Sequence, residues 1–188
     1  MPTRRDRPEP VGPRVDAPRA PDDTDDGDDD VVLLAESDLA GRVVHGVAPG
    51  AVLDGAEVSG CRFEGVRLTA MSARQARLTD VVFRNCELSG VNLEEALLTR
   101  VRFEGCRAEG LDGGLLRARH VGFRDTKLTD AAFRMSSWDR CHLESSDLRR
   151  LDLLDAELTT TDIEACDLTE ADLTRARLRE VRFPRSTL

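Results

Sequence analysis

The sequence predicts an all-β protein folded as a four-sided coil, and two periodic patterns carry this prediction. Every fifth residue from Leu53 to Leu188 is large and apolar at 24 of 28 sites. The position two residues earlier, from Ala51 to Ser186, also lacks charge throughout, although charged residues make up 34% of the chain. Five of the six phenylalanines recur at multiples of 20 residues. The chain therefore turns a corner every five residues and completes one coil every twenty.

A period of five fits neither an α-helix nor a flat strand. Positions five apart on a helix are rotated by ~140° from one another, so they cannot share one face. In a strand, positions five apart point to opposite faces. A corner after each five-residue repeat removes this conflict. Each side of the coil then contributes one small and one large inward residue, and the other three positions face water.

Stacked coils give the rod four walls, numbered 1 to 4 here after their first large inward residues, Leu53, Val58, Phe63 and Leu68. Over residues 51–188 the formal net charges of walls 1 to 4 are −4, +2, 0 and −1. Opposite charges in successive coils should pair at the ~4.8 Å spacing of parallel strands. The outward position that follows the phenylalanine series on wall 3 alternates in sign: Glu64, Arg84, Glu104, Arg124 and Glu144.

The first 50 residues do not carry the period of five. Residues 1–30 hold six of the eight prolines, and seven aspartates lie between Asp22 and Asp30. This composition predicts a disordered N-terminal tail. Residues 31–50 are more apolar and predict an irregular segment that covers the first coil. Residues 51–188 are the repeat domain, on the order of 33 Å long for about seven coils.

Composition also excludes several classes of protein. The longest apolar run, Val31 to Ala35, is far shorter than the ~20 residues of a membrane span, and we expect that the N-terminal residues are not a secretory signal. Five cysteines, an odd number, argue against a disulfide framework and for a reduced, cytoplasmic protein. A formal net charge of −9 disfavours direct binding of nucleic acid.

The sequence offers no catalytic, cofactor or metal site. All five cysteines occupy the small inward position, where a thiol serves as a compact apolar filler more readily than as a metal ligand or redox group. They are Cys61, Cys86, Cys106, Cys141 and Cys166. No motif for metal-dependent, nucleotide-dependent or nucleophilic catalysis is present. We therefore expect a protein that is not an enzyme and holds no cofactor.

The repeats themselves resemble the pentapeptide-repeat family, whose pattern is A(D/N)LXX. Matching triplets are Ala171-Asp172-Leu173, Cys166-Asp167-Leu168 and Val91-Asn92-Leu93, and the register is unbroken over residues 51–188. The resemblance implies a right-handed quadrilateral β-helix. One coil is irregular, because three successive large-residue sites hold Ala108, Gly113 and Ala118. Either the neighbouring Leu111, Leu115 and Leu116 compensate for the missing volume or the coil bulges there.

The resemblance also implies a function. The chain is similar in size and in its unbroken register to the quinolone-resistance group of pentapeptide-repeat proteins, which mimic DNA and bind DNA gyrase. The corresponding candidate surface is a collar of acids in six successive repeats, which would replace DNA phosphates toward a basic partner. The collar consists of Asp147, Asp152, Glu157, Asp162, Asp167 and Asp172. The alternative for these residues is a structural role, in which they hydrogen-bond the backbone at the corners.

A general interaction scaffold with an unidentified protein partner is the alternative function. Its candidate contact is an outward apolar patch formed by Leu115, Met135 and Leu154; local repair of the irregular coil would explain the same residues. A charge-driven mimic should lose affinity steeply with added salt, whereas an apolar contact should not.

The end of the chain supplies a further candidate contact. Phe183 and Leu188 belong to the last coil, and no terminal helix follows to cover it. An uncovered coil exposes inward-facing apolar groups and strand edges. We therefore expect that two copies stack through this coil as a homodimer.

Overall fold

The structure is a computed structural model that describes residues 39–45 and 52–188. All regular secondary structure in these residues is β, and no helix is formed within them. The predicted tail, residues 1–30, and all but a short part of the predicted cover segment, residues 31–50, lie outside the described residues. The strands are β1 Leu39–Ala40, β2 Val43–Val44, β3 Glu57–Ser59, β4 Arg62–Glu64, β5 Arg77–Arg84, β6 Leu97–Glu104, β7 Arg117–Arg119, β8 Gly122–Arg124, β9 Ser137–Asp139, β10 His142–Glu144, β11 Glu157–Thr159, β12 Asp162–Glu164 and β13 Arg177–Arg179.

The strands stack in parallel on two adjacent walls of the rod. Wall 2 follows the order β1-β3-β5-β6-β7-β9-β11-β13, and β2, β4, β8, β10 and β12 lie on wall 3. Strands β5 and β6 each continue around the corner between the two walls, so that all 13 strands belong to one sheet. Within wall 1 and within wall 4, single parallel bridges join successive coils, as Ser72 pairs with Asn92 on wall 1. From β3 onward the paired residues are 20 apart along the chain. The predicted right-handed quadrilateral β-helix of about seven coils is confirmed.

Each corner is made by a residue in the left-handed backbone conformation. Every fifth residue from Gly55 to Arg185 has φ between 50° and 72°, and most of them are not glycine. The corners that begin and end wall 1 are hydrogen-bonded turns, as in the bond of 3.1 Å from the Ala56 amide to the Leu53 carbonyl. Corner amides also bond to the next coil, which fixes this backbone conformation. The Leu115 amide, for example, donates to the Arg134 carbonyl at 2.9 Å.

The interior is a continuous apolar core, and the predicted aromatic ladder runs through it. The rings of Phe63, Phe83, Phe103 and Phe123 stack with centroid separations of 4.8, 5.0 and 4.6 Å in turn. Leu143 and Ile163 continue the column on wall 3 and are buried. Each residue of the ladder is enclosed only because coils lie on both sides of it.

The coil with small residues at 108, 113 and 118 does not bulge. Two large aromatic side chains of the next coil fill the space, and each lies next to the small residue 20 positions earlier. A Cβ added to Gly113 would lie 2.5 Å from the Phe133 ring, and Ala118 pairs in register with Trp138. Of the three leucines that the sequence offered as compensation, Leu111 and Leu116 are buried and add volume. Leu115 remains exposed and does not compensate.

Candidate functional site

The six collar acids do not converge on one wall. They wind around the rod, because each occupies the same position in successive repeats. Asp152 and Asp172 lie on wall 1, Glu157 on wall 2, and Asp162 on wall 3. Asp147 and Asp167 lie on wall 4 and face each other through a parallel bridge. The structure therefore distributes the predicted acids over all four faces.

On walls 1 and 4 the collar acids hold the corner backbone. One carboxylate oxygen accepts a hydrogen bond from the backbone amide two residues later, a local Asx arrangement that stabilises a turn. The donors are the amides of Arg149, Leu154, Thr169 and Thr174, with N to O distances of 3.3, 3.0, 3.0 and 2.8 Å in turn. Asn92 does the same with the amide of Glu94 at 2.8 Å. The structural role that the sequence left open is thus present.

Arginines neutralise most of the collar. Arg149 makes two hydrogen bonds to Asp147, of 2.8 and 2.7 Å, and thereby holds the pKa of this carboxyl below its usual value. Asp162 is almost fully buried and receives two bonds from Arg182, at 2.7 and 2.5 Å. The other contacts are Asp152 with Arg134, Glu157 with Arg179 and Asp167 with Arg149. Asp172 alone of the six has no arginine within ion-pair distance in the described part of the chain.

The same pairing extends along the rod, since opposite charges 20 residues apart face each other in adjacent coils. Arg124 and Glu144 of the predicted alternating series are 2.9 Å apart, and Arg84 and Glu104 are 3.3 Å apart. Other pairs with this spacing are Glu57–Arg77, Arg74–Glu94, Asp80–Arg100, Glu87–Arg107, Arg119–Asp139, Asp130–Arg150, Asp155–Arg175 and Asp162–Arg182. Exposed pairs of this kind contribute little stability individually. Their main effect is to leave few uncompensated charges on the surface.

Wall 1 keeps four exposed carboxylates for which no arginine of the described residues lies within ion-pair distance: Asp54, Glu95, Asp112 and Asp172. Its other acids pair with arginines, as Glu94 does with Arg74. These four residues, named the acidic row here, account for the net charge of −4 on this wall. At ~4.8 Å per coil they span six coil intervals, or ~29 Å. The Thr174 hydroxyl and amide hold the pKa of Asp172 below its usual value. The net charge by wall indicated this surface from the sequence, but only Asp172 of the four belongs to the predicted collar.

The predicted apolar patch lies on the same wall, between Asp112 and Asp172. Leu115 and Met135 occupy the corner in adjacent coils and are 41% and 56% exposed. Leu154 is partly buried, and its carbonyl accepts a hydrogen bond of 2.9 Å from the Met135 amide. The structure therefore brings the three residues together. Wall 1 presents a row of negative charge interrupted by a small apolar surface.

Comparison with protein-family models identifies the repeats directly. The model described as "Pentapeptide repeat region" matches residues 56–133, and that described as "Pentapeptide repeats (8 copies)" matches residues 126–164 and 166–188. The chain belongs to the pentapeptide-repeat family. No curated protein sequence matches this pentapeptide-repeat chain.

Several solved structures are similar to this pentapeptide-repeat protein at low identity. Full-length QnrB1, a plasmid-mediated fluoroquinolone resistance protein, is 19% identical with a TM-score of 0.47, over 81% of this chain and 92% of QnrB1. Rfr23 from the cyanobacterium Cyanothece 51142 is 12% identical with a TM-score of 0.36, over 67% and 90% of the two chains. HetL from Nostoc sp. strain PCC 7120 is 18% identical with a TM-score of 0.30, over 84% and 85%.

The last coil of the pentapeptide-repeat rod is exposed on its outer side. Phe183 is partly buried against the core, and Leu178 and Leu188 are 42% and 73% exposed. Strand β13 is exposed along its whole length. The two residues predicted for dimerisation, Phe183 and Leu188, therefore lie in the last coil of the described rod, where burial is lower.

The thiols and imidazoles are arranged as structural groups. All five cysteines are free and buried, and their sulfurs lie near backbone carbonyls, as Cys86 Sγ does at 3.3 Å from the Phe63 oxygen. Burial raises the pKa of Cys141 to about 12, so this thiol stays protonated. His120 is buried, although it occupies a corner position, one of the three positions of each repeat that the period of five predicts to face water. Within residues 39–45 and 52–188, no group of three or more His, Cys, Asp or Glu side chains could hold a metal ion, and no helix is long and apolar enough to span a membrane.

Proposed function

We propose that this pentapeptide-repeat protein is a non-catalytic rod that acts by protein–protein interaction, and that its partner is DNA gyrase. The acidic row carries the proposal, because wall 1 is the one wall on which acids outnumber arginines by several charges. The resemblance found in the sequence supplies the partner, since the quinolone-resistance group binds gyrase in place of DNA. Gyrase acts in the cytoplasm, where reduced cysteines persist.

The acidic row suits a surface that evolved to bind phosphates. Such surfaces place lysine and arginine along a path of regularly spaced negative charge. Carboxylates accept the same charge-assisted hydrogen bonds as phosphate oxygens. Because the row is built on a wall whose coils are bridged in register, its charges keep fixed spacings along ~29 Å of rod. The four collar acids on the other walls contribute less to this surface, since each lies within ion-pair distance of an arginine, and Asp147 and Asp167 share Arg149.

A gyrase supercoiling assay with a charge-removing variant tests the proposal. Glu95→Gln, Asp112→Asn and Asp172→Asn together remove three charges of the acidic row. The asparagines keep the side-chain oxygen that accepts the turn amide, as Asn92 does, so the corner remains capped. We expect the native protein to inhibit supercoiling or to protect gyrase from a fluoroquinolone, and the variant to lose most of this effect.

The matched control removes three carboxylates from other walls. Glu109→Gln, Asp125→Asn and Glu170→Gln alter acids for which no described arginine lies within ion-pair distance, and the net charge changes by the same amount. This control should behave as the native protein does. Equal loss of activity in both variants would show that overall charge, and not the acidic row, is responsible. No effect of the native protein on gyrase would overturn the proposal.

The exposed apolar patch favours a second candidate, a scaffold for an unidentified protein partner. Leu115 and Met135 are more exposed than the other large apolar side chains of the middle coils. A partner that binds mainly there should retain its affinity at high salt and lose it in a Met135→Ser variant. A gyrase complex held by the acidic row should show the opposite pattern.

We further propose that two copies associate through the last coil. Exposed inward-type residues such as Leu178 and Leu188, together with the free edge of β13, would be covered by a second copy. Sedimentation at tens of micromolar protein should show a dimer, and Leu188→Asp should shift it to monomer. A native protein that sediments as a monomer would overturn this part of the proposal.

A further inference from the structure

Wall 2 carries a basic patch that the proposed function does not use. It consists of Arg100, Arg117, Arg119 and Arg140 on three successive coils, with Asp139 as the only acid on this wall in those coils. Strand β7 alternates so that Ala118 points into the core while Arg117 and Arg119 both face outward. The patch has a net charge of +3 on a protein whose net charge is −9.

Neighbouring carboxylates balance only part of the patch. Arg100 makes two hydrogen bonds to Asp80, of 2.6 and 2.7 Å, and Arg119 lies 3.5 Å from Asp139. Arg117 and Arg140 are exposed, and neither has a carboxylate of residues 39–45 or 52–188 within ion-pair distance. The patch therefore offers at least two arginines to an anionic partner.

The chain itself contains an anionic segment in reach of this patch. Seven aspartates lie between Asp22 and Asp30. The chain enters the described structure at Leu39, and β1 is the first strand of wall 2, in line with β7 and β9. Eight residues separate Asp30 from Leu39. Fully extended, they span about 30 Å, whereas β7 and β9 lie four and five strand spacings from β1, or about 19 and 24 Å.

We propose that the aspartate segment, residues 22–30, docks in cis on the basic patch of wall 2. Charge complementarity, a tether of sufficient length and the position of β1 on this wall all support that occupant. The docked segment covers the one wall with a positive net charge and leaves an excess of negative charge there. The rod then presents no positive wall to a basic partner, and the region outside the repeats acquires a role. This inference does not depend on gyrase being the partner.

A spin label in the aspartate segment tests the docking in the full chain. Thr24→Cys places one thiol among the aspartates, and a thiol-reactive label should modify it selectively because the five native cysteines are buried. We expect loss of the backbone amide signals of Arg117, Arg119 and Arg140 in NMR spectra. Signals on wall 4, such as that of Lys127, should be weakened less, because they lie on the opposite side of the rod. Raising the salt to about 1 M, where the Debye length is ~3 Å, should restore the lost signals.

Paired substitutions identify the arginines responsible. Arg117→Gln with Arg140→Gln should abolish the selective loss of signal on wall 2. The control, Arg67→Gln with Arg107→Gln, removes the same charge from wall 4 and should leave the loss unchanged. Equal attenuation on all four walls, or attenuation that survives the substitutions at Arg117 and Arg140, would overturn the proposal.

A mixed sample separates docking in cis from docking between molecules. A spin-labelled chain without isotope enrichment is combined with a ¹⁵N-enriched chain that carries no label. Docking in cis predicts that the enriched chain keeps its wall 2 signals at full intensity. Loss of those signals in the mixture would show that the segment binds a second copy, which contradicts docking in cis.

Discussion

The middle and the last coil of the rod contain the same repeat but differ in burial. Phe103 is 2% exposed, because the rings of Phe83 and Phe123 cover its two faces. Phe183 occupies the equivalent position in the last coil and is only partly buried. An inward residue of a solenoid is thus buried by the coils on both sides of it and not by its own coil. Stability should therefore be greatest in the middle of the rod and least at its C-terminal end.

Matched truncations of these two phenylalanines should separate the middle from the end. Phe103→Ala removes a fully buried ring and should lower the free energy of unfolding by about 3–5 kcal/mol. Phe183→Ala should cost less than half of that, because its ring contacts only one neighbouring coil. Urea unfolding followed by circular dichroism measures both. Equal losses would contradict the view that burial in this rod depends on two neighbours.

The buried thiol of Cys141 should make the rod sensitive to alkaline pH. Burial raises the pKa of Cys141 to about 12, above the value in the unfolded chain. The folded form therefore keeps the proton while the unfolded form loses it, so stability falls as pH rises above the unfolded value of about 8.5, by up to about 1.4 kcal/mol per pH unit and thiol. Denaturant unfolding at several pH values between neutral and strongly alkaline measures the slope.

Cys141→Ser is the control for the alkaline effect. Serine and threonine already occupy this inward position elsewhere, and the Ser146 hydroxyl donates to the Glu144 carbonyl at 2.8 Å. The variant should show a shallower decline with pH by the contribution of one thiol. A slope unchanged from the native protein would mean that Cys141 does not titrate on unfolding in this range.

Adding volume at Gly113 should test how the coil of small residues is repaired. Gly113→Ala places a Cβ 2.5 Å from the Phe133 ring and should cost about 1–3 kcal/mol of stability through overpacking. Gly114→Ala is the control, because its Cβ would lie 3.4 Å from the nearest atom, an Asp112 carboxylate oxygen. Thermal unfolding compares the two. If Gly113→Ala left the stability unchanged, the Phe133 ring would not need the space that Gly113 leaves by lacking a side chain.

The smallest effect is expected at the exposed corner of wall 1. Met135 has φ of 55° and is 56% exposed, so its side chain adds little to the core. Met135→Gly relieves the left-handed strain of about 1–2 kcal/mol, partly offset by the greater entropy of glycine in the unfolded chain. Stability should stay the same or rise by up to about 1 kcal/mol. A clear loss of stability would show that Met135 packs as a structural residue.

The sequence predicted the interior of this rod more completely than its surface. The period of five assigned the inward residues, and the spacing of 20 predicted the stacking of Phe63, Phe83, Phe103 and Phe123. Both predictions hold because each inward position contacts equivalent neighbours in every coil. The coil at residues 108–118 could not be decided from its neighbours along the chain, because Phe133 and Trp138 fill the space from one coil further on.

The candidate surface was less predictable, because it depends on which charges find partners. The acids at this repeat position looked like one collar, yet the structure pairs Asp162 with Arg182 and leaves Asp172 with no arginine of the described residues within ion-pair distance. The spacing of 20 allows many such pairs to be anticipated. The spacing does not show whether Asp112 caps the turn or points its carboxylate outward, since both arrangements use the same residue at the same position.

Competition with DNA tests the central claim most directly. A fluorescently labelled duplex bound to gyrase is titrated with the native protein, and release of the duplex is followed by fluorescence anisotropy. If the acidic row of wall 1 substitutes for DNA, the native protein should displace the duplex, and the Glu95→Gln, Asp112→Asn, Asp172→Asn variant should do so only at much higher concentration. Formation of a ternary complex, with the duplex still bound at saturating protein, would contradict the account.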